Sequence, residues 1–180
     1  MKIVLATPLY PPDSAAPAVY VKELARRLAP NHRVTIVAYT HLPEAVAGVD
    51  IVAVDKRHML PVRLFFYTLA LWRTARTADS IYSQNGASVE LAVWLVALLT
   101  RRPLIMHIGD QAAHAHAAAD AVRGFIERRA FGVARAILED TPPQKPEILP
   151  FSPRPEAALR AWEAAWQRHL ADVSAHLSHV

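Results

Sequence analysis

His107 closes a short apolar run, Leu104 to Ile108 (LIMHI), and Gly109 and Asp110 follow directly. An imidazole at a strand end can donate or accept a hydrogen bond near neutral pH, which suits it to a ligand hydroxyl or a developing charge. The same placement serves a histidine that only satisfies the strand end, and Asp110 is equally an N-cap for a helix beginning near Ala112. Gln84, Asn85 and Gly86 end an earlier strand candidate, where the two side-chain amides can hydrogen-bond hydroxyl groups and Asn-Gly can also form a plain turn. His114, His116 and Asp120 raise the question of a metal. A two-residue spacing puts two histidines on different faces of a helix, whereas paired ligands favour i and i+4. His107, Asp110 and His114 are spaced better but are too few, so no metal is expected and the helical residues read as solvated.

Two further segments carry residues of chemical interest. Ser14-Ala15-Ala16-Pro17 leads into a helix, whose N-terminus favours an anion, yet none of the chain's five glycines is there to let a phosphate approach the backbone. Leu60 to Arg76 mixes Phe65, Phe66, Tyr67 and Trp72 with Arg63, Arg73 and Arg76. One helix face belongs in a core, but the aromatics spread around more of the circumference than a single stripe needs. The surplus fits either a protein interface or contact of Arg63, Phe66, Trp72, Arg73 and Arg76 with an anionic membrane surface.

The elements that hold these residues alternate. Ile3 to Ala6 is a continuous apolar run ended by Thr7-Pro8, as for a strand buried on both faces. Val21, Leu24, Ala25 and Leu28 form a helical stripe, and Val34 to Tyr39 and Ile51 to Val54 read as strands. The spacing then predicts a helix over Leu60 to Thr77, a strand Ser80 to Ser83 and a buried helix Ala87 to Leu99. A strand Leu104 to Ile108, a helix Ala112 to Arg135 and a short strand Ala136 to Leu138 follow. This alternation implies an α/β fold: a doubly wound, mainly parallel, Rossmann-like sheet with helices on both faces and ligands at the carboxyl ends of its strands.

Composition sets limits. The 180-residue chain has no cysteine, which excludes disulfide frameworks, thiol catalysis and cysteine–zinc sites. Twenty basic against sixteen acidic side chains is a mild excess, too dispersed for nucleic acid. The longest apolar run, Ala87 to Thr100, holds Glu90 and is shorter than the roughly 18 to 20 residues of a membrane span. The N-terminus has no long apolar signal core, so a cytoplasmic protein is expected. Gly-x-Gly-x-x-Gly, Gly-x-Ser-x-Gly and the phosphate loop ending in Gly-Lys-Ser/Thr are all absent. Six prolines between Pro142 and Pro155 mark an extended connector. Beyond it Leu159, Trp162, Trp166, Leu170, Val173 and Leu177 define one long amphipathic helix, expected to pack back on the α/β domain.

Three segments then carry a resemblance. Met1 to Leu28 (MKIVLATPLYPPDSAAPAVYVKELARRL), Asp79 to Gly86 (DSIYSQNG) and Pro103 to Asp110 (PLIMHIGD) resemble the N-terminal domain of family-4 glycosyltransferases of GT-B architecture, in the family's order and over roughly residues 1 to 138. The resemblance implies a retaining enzyme that moves a sugar from a nucleotide-sugar donor substrate to an acceptor, with no essential metal or cofactor. It assigns the acceptor to this domain and most of the donor to a second, C-terminal one. On the same ground His107 takes the catalytic place, Ser14 to Pro17 the donor-phosphate loop, and Gln84, Asn85, Gly86, Gly109 and Asp110 the acceptor or sugar contacts. Members of this type also dock on membranes through a basic, aromatic surface, which implies a peripheral position on the inner face of the membrane.

Two departures qualify it. Ala15-Ala16 stands where the family has a glycine pair, and 180 residues leave no room for a donor domain. The expected organisation is a domain over 1–140, a proline-rich linker over 141–155 and a helix over 156–180, similar to the terminal helix that crosses back in GT-B enzymes. Activity then requires a donor-domain partner protein or a homodimer. The competing expectation is a non-catalytic binding or scaffolding domain that keeps the fold.

Overall fold

The computed structural model describes residues 1–109, 114–115, 119–146 and 155–178. Apolar, β-branched runs too short for helices form the strands β1 (Lys2–Thr7), β2 (Arg33–Tyr39), β3 (Val49–Val54), β4 (Ser80–Gln84), β5 (Leu104–His107) and β6 (Ala136–Leu138). They make one parallel six-stranded sheet in the order β3-β2-β1-β4-β5-β6. β1 and β4 are buried on both faces, as expected of central strands covered on either side.

Alternate residues of β1 point to opposite faces, and the two faces are covered by different helices. Val4 and Ala6 join the cluster built with α2 (Leu60–Ala75), α3 (Ala87–Thr100) and Ala130 of α4 (Ala121–Val133). Leu5, in register with Tyr82, lies on the face of α1 (Ala16–Leu28), where the Tyr20 and Tyr82 hydroxyls meet at 2.7 Å. α1 buries Val21, Leu24, Ala25 and Leu28, the stripe expected from its sequence, with Tyr20 added. α2 buries Tyr67, Leu71 and Ala75 at intervals of four, which leaves Phe65 and Phe66 exposed.

Two expected elements differ. The largely apolar Ala87 to Leu99 segment reads as a buried helix, but only one side of α3 is buried, through Val89, Ala92, Val93 and Val96, while Leu98 and Leu99 face outward. A single layer of helices over one sheet face covers only one side of each. The helix expected over Ala112 to Arg135 is interrupted: Asp120 has an extended backbone, and its carboxylate accepts from the Val122 and Arg123 amides, so α4 begins at Ala121. Asp120 is thus an N-cap rather than a solvated helical residue.

The described chain divides into two units, Met1–Glu139 and Asp140–Val180. The second holds α5 (Pro155–Ser178), where the Trp162 indole N–H donates to the Pro143 carbonyl at 3.1 Å and ties helix to connector. No helix among the described residues is long and apolar enough to cross a membrane.

Candidate functional site

The chain leaves β1 toward α1 on one face of the sheet and leaves β4 toward α3 on the other. The loops therefore part between β1 and β4, where a doubly wound sheet opens its crevice. Four polar side chains gather at these strand ends, and all are buried: Thr7, Gln84, Asn85 and His107. The Thr7 hydroxyl lies 2.6 Å from Gln84 Oε1 and 2.7 Å from the Leu9 carbonyl, so its one proton can serve either. Gln84 Nε2 donates to the Pro17 carbonyl at 3.1 Å, which ties β4 to the first turn of α1. The Asn85 backbone N–H donates to the His107 carbonyl at 2.9 Å, and the side-chain Asn85 Oδ1 accepts from the Gly109 backbone N–H at 3.1 Å. In the sequence Gln84 and Asn85 fit ligand contacts and a plain turn equally well. In the structure their side chains bond to the protein's own backbone and to the Thr7 hydroxyl, as buried polar groups must find partners.

His107 departs further from expectation. Its strand end was expected to open to solvent, yet the residue is fully buried. Tyr20 causes this: its ring stacks on the imidazole at 4.5 Å with an interplanar angle of 13°, and Tyr82 lies at 6.0 Å on the neighbouring strand. Gly109 fits tightly beside the ring, since a Cβ there would come within 2.9 Å of His107 Cε1. The place given to Gly109 among the sugar contacts thus has a packing reason of its own. Asp110 lies outside the described residues.

The Ser14-Ala15-Ala16-Pro17 loop shows a second self-contained arrangement. Asp13 accepts from the Ala15 amide at 3.1 Å and pairs with Lys56 at 3.0 Å. The Lys56 ammonium and that amide hold the Asp13 carboxyl below its ordinary range. A carboxylate thus already occupies the N-terminal approach to α1, and Pro17 has no amide hydrogen to offer. Ser14 and Ala16 are exposed. The loop expected to receive a diphosphate is therefore poorer in donors than its helix-start position suggested.

Sequence reasoning missed a buried acidic pair behind the crevice. Glu90 Oε1 accepts from the Gly86 amide at 3.0 Å, while Glu90 Oε2 is buried without a hydrogen-bond partner. Glu127, also buried, meets the half-exposed helical residue His114 at Nδ1, 2.7 Å, a partner that the sequence reading did not give it. His116 lies outside the described residues, and among those described no group of three or more histidine or acidic side chains could hold a metal. The signal for Glu90 was available, because one carboxyl inside an apolar helix must find a partner or lose its charge.

Burial pushes the Glu90 carboxyl up; the Gly86 amide opposes this, and the Glu127 charge adds to it. A raised folded value means that the folded state holds a proton that the unfolded chain releases first. The contribution of Glu90 is therefore complete below the unfolded carboxylate value and is lost as pH rises through the folded one. We expect Glu90→Gln, which stays neutral, to raise stability by about 1 kcal/mol at pH 8. The gain should vanish near pH 4 in paired thermal melts, and an equal effect at both pH values would contradict the assignment.

The residues considered for a membrane surface separate. Arg63 turns inward, its guanidinium 5.1 Å from the Tyr39 ring centroid and its Nη1 donating to the Lys56 carbonyl at 3.3 Å. A side chain committed in this way is not a surface charge. Phe66, Arg73 and Arg76 are exposed, Arg76 lying over the half-buried Trp72 ring at 4.8 Å.

Taken together, fold and crevice define a doubly wound, Rossmann-like domain with a closed polar cluster at its switch point. Solved structures with a similar fold include Anabaena HepE in complex with UDP (TM-score 0.51, 15% identity) and in complex with UDP and glucose (TM-score 0.54, 18% identity). Each match covers 92% of this chain and 41% of that one. A UDP-N-acetylglucosamine 2-epimerase is similar at TM-score 0.50 and 12% identity, over 76% of this chain and 41% of its own. The chain thus spans about two fifths of the length of these structures. No protein-family model matches the sequence, and no curated protein matches it.

Proposed function

We propose that this chain is the acceptor-side half of a retaining, GT-B-type glycosyltransferase that uses a nucleotide-sugar donor. One observation carries the reading: Thr7, Gln84, Asn85 and His107, from the ends of three strands, converge where a sheet of this order takes its ligand. The likeness in fold to HepE, whose structures hold UDP, supports the ligand class. One domain forms one wall of such a site, so in this reading a second, donor-binding domain supplies the other. In this reading His107 sits beneath Tyr20 and reaches the sugar when that ring moves aside, and its imidazole then accepts or donates a hydrogen bond at the reacting centre.

A second reading has its own support. Tyr20 covers His107, Gln84 is tied to Pro17, and Asp13 holds the α1 N-terminus. A crevice filled by its own side chains suits a binding or scaffolding domain that no longer uses a donor. Ligand-observed NMR against UDP and a panel of nucleotide sugars separates the two. Saturation transfer that His107→Ala removes is expected for the enzyme half, while its absence at millimolar ligand would leave the scaffold.

A further inference from the structure

On the outer side of the helix layer, away from the switch point, an open groove of about 520 Å³ runs between α3 and α4. Its walls are Trp94 and Leu98 on α3 and Phe125 on α4, with Arg128 and Arg129 on the same helix. Leu98 and Phe125 are exposed, at 51% and 46%. Gly132 also lines the groove, and a Cβ built there meets nothing within 4 Å. This glycine is the penultimate residue of α4, and neither a positive φ nor a close neighbour demands it. Glycine weakens a helix relative to alanine, and a Cβ at this position would stand in open space, so no contact within the chain requires the side chain to be missing. What it does is keep the groove open.

Charge identifies the occupant. Arg129 lies over the Phe125 ring at 5.0 Å, and among the described residues no carboxylate pairs with Arg128 or Arg129. The acidic side chain within α4, Glu127, is buried on the opposite side with His114. A second copy of the same face would set arginine against arginine, which disfavours self-association. The volume is that of a small-molecule site, and apolar walls beside two guanidinium groups match a molecule with one alkyl chain and one anionic head.

We infer that the α3–α4 groove binds a free fatty acid, its chain against Trp94, Leu98 and Phe125 and its carboxylate at Arg128 and Arg129. This site is independent of the crevice and of the function proposed for it. Isothermal titration calorimetry of the full chain with laurate below its micelle concentration tests it, with acetate as a head-only probe and dodecyl maltoside as an uncharged chain. Laurate should bind in the micromolar range and acetate should give no heat. The maltoside should bind at least tenfold more weakly than laurate. Gly132→Leu should fill the groove and weaken laurate binding at least tenfold, while melting at or above the wild-type temperature. Arg128→Gln with Arg129→Gln should remove most of the preference for laurate over the maltoside. Equal laurate affinity in the wild type and a folded Gly132→Leu protein would overturn the inference, as would no binding at millimolar laurate. Heat from anionic phosphatidylglycerol vesicles without heat from monomeric laurate would also overturn it, in favour of a membrane contact.

Discussion

Tyr67→Ala is expected to lower the unfolding free energy by about 4 kcal/mol, the range for deleting a buried aromatic ring. The ring is fully buried beneath α2 and stacks on Tyr39 at 4.4 Å. Its hydroxyl donates to the Val37 carbonyl at 3.0 Å and lies 3.3 Å from the Thr7 carbonyl. One side chain therefore joins α2 to the ends of β1 and β2, and no neighbour can collapse into its place without opening another gap. Tyr67→Phe keeps the ring and loses only the proton, so about 1–2 kcal/mol is expected. Burial pushes the Tyr67 phenol well above its ordinary value and that of Tyr39 to about 12. The folded values are raised, so this stabilisation is complete below the unfolded phenol value and is lost only in strong alkali. Urea unfolding at pH 7 and pH 9 should give the same loss for Tyr67→Phe. A loss below about 1.5 kcal/mol for Tyr67→Ala would mean that α2 repacks freely.

The fold could be read from the chain because its signals are local. Apolar runs such as Ile3 to Ala6, bounded by Pro8, can be satisfied only in a sheet covered on both faces, and the alternation with amphipathic stripes fixes a parallel arrangement. The site was less legible because its geometry depends on residues far apart in sequence. Nothing near His107 indicates that Tyr20, eighty-seven positions earlier, lies over its ring. The chemistry of Gln84 and Asn85 suggests ligand contacts until the distant Thr7, Pro17 and Gly109 are seen to take their hydrogen bonds. Asp120 could have been recognised as an N-cap, but the alanine-rich run before it hid the break. Arg63 resembles a surface charge in a sequence window and becomes a stacked one only once Tyr39 is placed beneath it.

Gly86→Ala should cost about 3 kcal/mol, from two effects at one atom. Gly86 sits at φ +156°, where side chains are rarely tolerated, and its built Cβ comes within 2.9 Å of Pro8 Cγ. Pro8 cannot rotate away, because its ring is closed on its own backbone. Gly86 cannot slip either: its amide donates to Glu90, and its carbonyl accepts from the Val89 amide at 2.8 Å. The clash must therefore move the β1–α1 loop against the start of α3, the two segments that bound the crevice. Gly132→Ala is the matched control, since its Cβ meets open space and a helix gains from alanine, so a rise of about 0.5–1 kcal/mol is expected. Opposite signs in parallel urea titrations would confirm that the positive φ and the Pro8 contact, not helix propensity, set the cost at Gly86. A loss below about 1 kcal/mol for Gly86→Ala would show instead that the β1–α1 loop shifts to relieve the contact with Pro8.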